Sequence, residues 1–257
     1  MNALAELLSL SREMIWLYAV VFLRVGPVMS LCPGFGENSV PVRIKLALAL
    51  VFTVIVAPAV ADMIGPAPAT LIAFAWLAIA EAVAGLAIGI GLRLFLMALQ
   101  TAGSMAAQAT SLSQILGSAG MEPLPAMGHL LVVGGLALAM LLDLHVHLAQ
   151  MVIASYTVLP AGELPETAAL SQWGVAQVSN AFALAFSLAA PFVIVSLLYN
   201  LTLGIINRAM PQMMVVFVGA PVITFGGLFL LFLLAPTMLT LWMEALDGFL
   251  ANPFGGR

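Results

Sequence analysis

Charged residues are scarce in this chain of 257 residues. Lys, Arg, Asp and Glu together make up 7% of the sequence, whereas hydrophobic residues make up 63%. An ordinary soluble domain carries about 25% charged residues. Seven basic and eleven acidic side chains are too few to cover the surface of a globule of this size in water. The composition excludes an ordinary soluble protein and predicts an integral membrane protein.

Cysteine and positive charge are also scarce, and each scarcity excludes a class of function. The one cysteine, Cys32, allows neither an internal disulfide nor a cysteine-based zinc site. We expect it to be buried as a small apolar residue. The net charge of −4 argues against a nucleic-acid partner, which needs a basic patch. The sequence has no phosphate-binding loop and no hydrolase motif, so we expect neither an enzyme nor a cofactor.

Long runs without charge define the predicted architecture. Residues 167–207 and 209–243 carry no formal charge, and about 20 apolar residues suffice for a helix to cross a bilayer. Six apolar segments are present: 14–31, 43–61, 71–100, 127–153, 176–206 and 213–245. Continuous runs of this kind exclude the alternating pattern of an outer-membrane barrel. We predict an all-α integral membrane protein of about six long helices arranged as helical hairpins, with its longest polar connections at 102–126 and 154–175.

The positions of Lys and Arg suggest an orientation. Arg43 and Lys45 flank the first connection, and Arg208 lies in the fifth. The second and fourth connections are acidic. Because cytoplasmic loops carry an excess of Lys and Arg, the odd-numbered connections are predicted to be cytoplasmic, with both termini outside. Arg12, near the N-terminus, argues for the opposite orientation.

Helix-breaking and small residues interrupt the apolar segments. Proline kinks free backbone carbonyls that neighbouring protein or water must satisfy. Gly85 and Gly89 form a GxxxG pair that permits close approach of another helix. We therefore expect the helices to be kinked and to pack against partner subunits. The interrupting prolines are Pro27, Pro58, Pro191, Pro221 and Pro236.

Several ionisable residues lie within the apolar segments, where an isolated charge is costly and should pair or face water. One interpretation is a proton relay or ion site. The other, which we favour, is a few buried structural pairs or helix ends at the membrane surface. Asp143 with His145 and His147 is a conceivable metal site, but residues i and i+2 of a helix face opposite ways, so we expect no metal. The candidate buried residues are Arg24, Glu81, Arg93, Asp143 and His145.

The connection between the last two segments carries the most distinctive pattern. Asn200, Gly204, Asn207 and Arg208 follow helical spacing and form a narrow polar stripe. Pro211 then ends the helix, and Gln212 begins the return helix. This pattern predicts a tight hairpin whose tip presents Asn207, Arg208, Pro211 and Gln212 to the cytoplasm. The alternative is an ordinary cytoplasmic loop that carries the expected basic residue.

This stretch resembles the signature of the flagellar biosynthetic protein FliR family, export-gate subunits related to the T-type proteins of virulence secretion systems. The residues that carry the resemblance are Leu203-Gly204, the run from Asn207 to Gln212, and Val218-Gly219-Ala220-Pro221. Further matches occur in order along the chain: Arg24, Val40 to Arg43, Glu81 with Gly85 and Gly89, Ala102-Gly103, Met121 to Pro123, His145, and Ser155 to Pro160. Length and spacing agree over nearly the whole chain.

The resemblance implies a single export-gate domain over residues 1–257, with a C-terminal helical hairpin at about 176–245. It implies a subunit of a type III protein export channel in the bacterial inner membrane, within the flagellar basal body. The implied partners are FliP-like and FliQ-like gate subunits, FlhB-like and FlhA-like export proteins, and unfolded export substrates. A virulence export gate is the alternative, and a stand-alone proton-coupled secondary transporter is a further one.

The resemblance also implies a loop that plugs the closed channel, at about 106–120. Small and polar residues suit such a loop, because glycine permits rearrangement and serine or glutamine can bind water when displaced. An ordinary connecting loop is the alternative. The implied plug residues are Gln108, Thr110, Ser111, Ser113, Gln114, Gly117 and Gly120.

Overall fold

The computed structural model describes residues 2–37, 39–110, 126–210 and 215–255. All regular elements within these ranges are helical, which confirms the predicted all-α fold. The helices are α1 (Asn2–Leu31), α2 (Val42–Val56), α3 (Leu71–Thr110), α4 (Ala126–Leu141), α5 (Leu144–Val158), α6 (Thr167–Ala209) and α7 (Val215–Ala251), and a 3₁₀ helix over Ala57–Met63 continues α2.

The helices meet the length and hydropathy requirements of a multi-pass membrane protein. Among the described residues, five stretches are long and apolar enough to cross a bilayer: Ser11–Leu31, Val42–Met63, Leu71–Thr110, Thr167–Ala209 and Pro221–Ala251. The broken pair α4 and α5 makes a sixth if it is counted as one span. The expected number of about six is therefore found.

The described parts of the two predicted polar connections, 102–126 and 154–175, are helical at their ends, so the predicted bounds are wrong. Helix α3 continues to Thr110, and α5 and α6 leave only residues 159–166 between them. Serine and glutamine at the ends of these segments suggested loops. The serine hydroxyls are instead satisfied inside the helix: Ser171, for example, donates to the Ala168 carbonyl at 2.9 Å. The helix therefore accommodates these polar residues.

The fourth predicted segment, 127–153, is interrupted, and its prediction as one continuous helix is wrong. Helix α4 ends at Leu141, and Asp143 adopts the left-handed conformation with φ of 58°. Aspartate tolerates this region better than most residues. The Asp143 carbonyl then accepts from the backbone amides of Val146 and His147, at 2.9 and 3.2 Å, and so begins α5. Asp143 precedes this helix and does not lie on the face of a continuous one.

The chain divides into two compact units. The first contains residues 1–94, 140–177 and 246–257, and the second contains 95–139 and 178–245. In the first unit the apolar core includes the fully buried Val20, Val21, Val56, Val60 and Ile88. Cys32 is also fully buried there, as expected, and burial raises the pKa of its thiol above the ordinary range.

The second unit is organised around Trp242. Its side chain is fully buried, and the indole Nε1 donates to the Phe95 carbonyl at 2.8 Å. Gly135 lies against the Trp242 ring, where a Cβ on the glycine would be 3.4 Å from Cζ3. A glycine contact of this kind lets a helix approach the large aromatic side chain closely. Trp242 therefore joins α7 to α3 and α4 within this unit.

Large apolar faces of α6 and α7 are exposed in the isolated chain. The buried residues of α6 are confined to Ala185, Leu188, Ala189, Phe192 and Ser196 among those described. Side chains such as Phe182, at 62% exposure, and Phe225, at 73%, are left largely uncovered by the described part of the chain. Exposed apolar faces of this kind indicate contact with lipid or with other subunits.

Candidate functional site

A buried ion pair lies at the centre of the first unit. Arg24 of α1 and Glu81 of α3 are both fully buried. The Arg24 Nε donates to Glu81 Oε2 at 2.8 Å, and Nη2 donates to Oε1 at 3.0 Å. This two-point geometry is the strong form of an arginine–carboxylate contact. The structure therefore joins two residues that the sequence singled out separately, 57 positions apart.

The pair is extended by α5 and the connection after it. Arg24 Nη1 donates to the Ser155 hydroxyl at 3.1 Å, and Nη2 donates to the Leu159 carbonyl at 2.9 Å. The Gly162 amide donates to Glu81 Oε1 at 3.0 Å. The guanidinium carbon lies 3.6 Å from the centre of the Tyr156 ring, a cation–π distance. One buried cluster thus joins α1, α3, α5 and the following turn.

The chemistry of this cluster is that of a satisfied structural pair. A buried charge is tolerated when its partner and its hydrogen bonds are both present. Arg24 directs its donors at three separate acceptors, and both Glu81 oxygens accept. This arrangement favours the structural interpretation over a proton relay, which needs a group that can release its proton along a path.

A second ion pair lies near the start of α2. Arg93 Nη1 donates to Glu37 Oε1 at 2.7 Å, and both side chains are about one quarter exposed. Lys45 Nζ donates to the Gly36 carbonyl at 2.8 Å. These contacts fix the connection between α1 and α2. Arg93 is therefore paired at the edge of the unit and is only partly buried.

Asp143 and His145 do not belong to a buried cluster. Both side chains are exposed in the isolated chain, and so is His147. The expectation that Asp143 and His145 are buried is therefore wrong within this chain. The physical reason is the break before α5, which leaves Asp143 in the turn and His145 in the first turn of the new helix.

Gly85 and Gly89 lie where α3 meets α1. A Cβ on Gly85 would collide with the backbone carbonyl oxygen of Arg24. A Cβ on Gly89 would lie 3.0 Å from Leu31 Cβ and 3.1 Å from the Pro27 carbonyl oxygen. The two helix backbones come this close because glycine has no side chain. The close approach lets Arg24 reach Glu81 one turn away.

The last turn of α3 is held by α6 and α7 within the second unit. The Ser196 hydroxyl donates to the Ala109 carbonyl, and the Asn200 amide donates to Ser196 Oγ at 3.2 Å. Carbonyls in the last turn of a helix lack partners within it, so a hydroxyl from a neighbouring helix stabilises that end. Thr110 is buried against Gly227, where a Cβ would lie 2.5 Å from Thr110 Cγ2.

The plug prediction falls mainly outside the described residues. Gln108 and Thr110 belong to α3, so the predicted loop start at 106 is wrong and residues 106–110 are helical. Gln108 is exposed and Thr110 is buried. The predicted plug residues Ser111, Ser113, Gln114, Gly117 and Gly120 lie outside the described ranges.

The hairpin tip is described on one side. Asn207 and Arg208 lie in the last turn of α6, and both are exposed. A cation there interacts favourably with the negative end of the helix. Further along the hairpin, the Tyr199 hydroxyl donates to the Gly219 carbonyl at 2.6 Å and so ties α6 to α7. Pro211 and Gln212 lie outside the described residues.

Some residues of these clusters were not identified from the sequence. Glu37, Tyr156, Ser196 and Trp242 have roles that depend on which helices become neighbours. Ser196 is a hydroxyl in an apolar run, which is a recognisable signal for a helix contact. A lone aromatic residue in a membrane helix gives no comparable signal.

Comparisons with known proteins agree with this architecture. Residues 15–249 match the family described as bacterial export proteins, family 1. The flagellar biosynthetic protein FliR of Caulobacter vibrioides (strain ATCC 19089 / CIP 103742 / CB 15) is 36% identical over 235 residues, which covers 90% of this chain and 92% of that protein. The family match covers most of the chain, and the relative is similar along nearly its whole length, so both findings indicate the same family. The chain belongs to the bacterial export proteins, family 1.

Proposed function

We propose that this chain is a subunit of the flagellar type III protein export apparatus and forms part of its export gate in the bacterial inner membrane. The observation that carries the proposal is the likeness to a flagellar biosynthetic protein over 90% of the chain. The flagellar relative favours the flagellar apparatus over a virulence secretion system.

The exposed apolar faces support a subunit that works in an assembly. Helices α6 and α7 carry long rows of uncovered side chains, including Phe186, Leu197, Phe229 and Phe232. We propose that FliP-like and FliQ-like subunits cover part of this surface. FlhB-like and FlhA-like proteins would then join the assembly at its cytoplasmic side. The chain has no nucleotide-binding motif, so the energy for export would come from other components of the apparatus.

Co-expression tests this proposal. The chain should be produced with the FliP-like and FliQ-like proteins of the same organism, extracted in mild detergent and analysed by native mass spectrometry. A defined hetero-oligomer that contains this chain is the expected result. A monomer or homodimer, with both partners well expressed, would contradict the gate and favour a stand-alone transporter.

We further propose that the segment after Thr110 closes the channel in the resting state. The support is the resemblance to the export-gate family and the fixed position of the preceding helical turn, which Ser196 and Gly227 hold. The closing segment would therefore have one fixed end. The whole subunit would then act as a passive gate around the path of an unfolded substrate.

Deletion of residues 111–117 tests the closing segment. The assembled gate should then leak ions across the inner membrane, because nothing would replace the lost barrier. The measurement is potassium efflux or solute uptake in cells that express the complete apparatus. Glu163→Gln, an exposed change elsewhere in the chain, serves as the control. Unchanged permeability, with normal amounts of assembled complex, would contradict the closing role.

Reversal of the charge at Arg208 tests the hairpin tip. Arg208→Glu places a carboxylate beside the negative end of α6, and it removes the cation that the tip presents. Export should fall severalfold, measured as secreted flagellar protein and as swimming diameter. Arg208→Lys keeps the charge and should retain most export. Equal export by the Glu and Lys variants would show that the tip charge has no role.

A further inference from the structure

The exposed face of α5 is polar. His147, Gln150 and Thr157 follow helical spacing along this face, with Ala154 between them, and all four are exposed in the isolated chain. Asp143, in the turn that begins the helix, is exposed as well. These five residues form the α5 stripe. The stripe therefore runs along the outside of a helix that belongs to a broken candidate membrane span.

The exposed faces of α2 and of the first part of α3, in the same unit, are mainly apolar. Helix α2 exposes Leu50 and Val54, at 50% and 59%, and α3 exposes Ile72 and Trp76, at 83% and 57%. Side chains of this kind suit lipid tails or the apolar surface of another subunit. A carboxylate, an imidazole and an amide are costly to leave in hydrocarbon. The α5 stripe is therefore suited to a different environment from these two faces.

Little within the chain satisfies the polar groups of the stripe. The Asp143 side chain makes no capping hydrogen bond to α5. Within the part of the chain that the structure describes, the side chains of Asp143, His147 and Gln150 make neither a hydrogen bond nor an ion pair. Thr157 is satisfied inside the helix, because its hydroxyl donates to the Ala154 carbonyl at 2.7 Å. The other three side chains need water or another polar molecule as their partner.

We propose that the α5 stripe borders the water-filled path of the unfolded substrate in the assembled gate, an inference that rests on the proposed export function. On the buried face of α5, the Ser155 hydroxyl and the Tyr156 ring contact Arg24, so the buried ion pair holds the helix behind the stripe. The stripe offers hydrogen bonds but carries only one carboxylate. An unfolded chain of varied sequence therefore meets water and weak partners there, and no strong charge retains it.

Cysteine labelling tests the environment of the stripe. Cys32 is the chain's one cysteine and is fully buried, so a membrane-impermeant thiol reagent reports on introduced cysteines. In membrane fragments that carry the complete apparatus, Gln150→Cys and Thr157→Cys should react at least about tenfold faster than Val54→Cys, because the reagent needs the thiolate, which forms in water and not in hydrocarbon. Val152→Cys, on the buried side of α5, should react as slowly as Val54→Cys. Equal rates at the four positions would overturn the proposal.

A stalled substrate tests the path itself. A flagellar substrate fused to a tightly folded domain should stop in the channel, and the labelling rates of Gln150→Cys and Thr157→Cys should then fall severalfold. The same fusion without its export signal is the control and should leave both rates unchanged. Fast labelling that the stalled substrate does not slow would place the stripe on an outer aqueous surface and would overturn the path. Failure of the proposed function gives a different result, because native mass spectrometry would then find no complex with the FliP-like and FliQ-like subunits.

Discussion

Glu81→Ala is expected to destabilise the protein by about 3–5 kcal/mol, because it leaves the buried Arg24 guanidinium without its counterion. The variant also removes the acceptor of the Gly162 amide, so the turn after α5 loses one of its ties. For a chain of this length, such a fall in the free energy of unfolding corresponds to a fall in Tm of roughly 10 °C. Thermal unfolding in mild detergent, followed by circular dichroism, measures it.

The second ion pair provides the control. Glu37→Ala breaks the contact with Arg93, but both of those side chains reach solvent. An exposed pair contributes up to about 1 kcal/mol, so this variant should unfold close to the parent. Equal losses from Glu81→Ala and Glu37→Ala would show that the Arg24 cluster is not sealed from water.

The double variant Arg24→Met with Glu81→Met separates the charges from the packing. Removing both members of a buried pair leaves no uncompensated ion, so its cost should be less than the sum of the two single changes. Some loss should remain, because Ser155 and the Leu159 carbonyl lose their donor. The same unfolding experiment measures all three variants. If the loss in free energy of unfolding of the double variant equals the sum of the two single losses, Arg24 and Glu81 are not directly coupled.

The helical class and the spans could be predicted because hydrophobicity acts over whole segments. A run such as 209–243 without charge has few stable arrangements other than a helix in or beside a membrane. The pairing of Arg24 with Glu81 could be predicted only in general terms. The cost of an isolated charge requires a partner, but nothing in the local sequence identifies a residue 57 positions away.

The errors have local causes. Polar residues at the end of α3 and the start of α6 favour a loop by sequence, whereas in the structure the Thr110 and Ser171 hydroxyls donate to carbonyls one turn back in the helix. The break at Asp143 is not predictable from periodicity, because its immediate neighbours Leu142 and Leu144 are apolar and apolar helical segments lie on both sides of it. A single left-handed aspartate was enough to move His145 and His147 into a new helix.

Gly85→Ala is expected to disrupt the packing of α1 on α3. The new methyl group would meet the Arg24 carbonyl oxygen, a backbone atom that cannot move away by rotation of a side chain. Overpacking of this kind costs about 1–3 kcal/mol, and here the displaced residue also holds the buried ion pair. The measurement is again the unfolding midpoint in detergent, together with the amount of chain that co-purifies with the proposed FliP-like and FliQ-like subunits.

Alanine variants of two other helical glycines, Gly89 and Gly248, are the controls for Gly85→Ala. A methyl group on Gly89 would lie 3.0 Å from Leu31 Cβ and 3.1 Å from the Pro27 carbonyl oxygen, which is tight but not the overlap expected at Gly85, so Gly89→Ala should cost less than Gly85→Ala. Gly248 has open space where its Cβ would lie, and alanine there should stabilise α7 by up to about 1 kcal/mol through helix propensity. The three variants add the same methyl group to a helix and differ mainly in what it meets. If all three variants unfold at the same temperature, the backbone contact between α1 and α3 does not hold the buried cluster around Arg24 in place. Arg24 and Glu81 must then position each other.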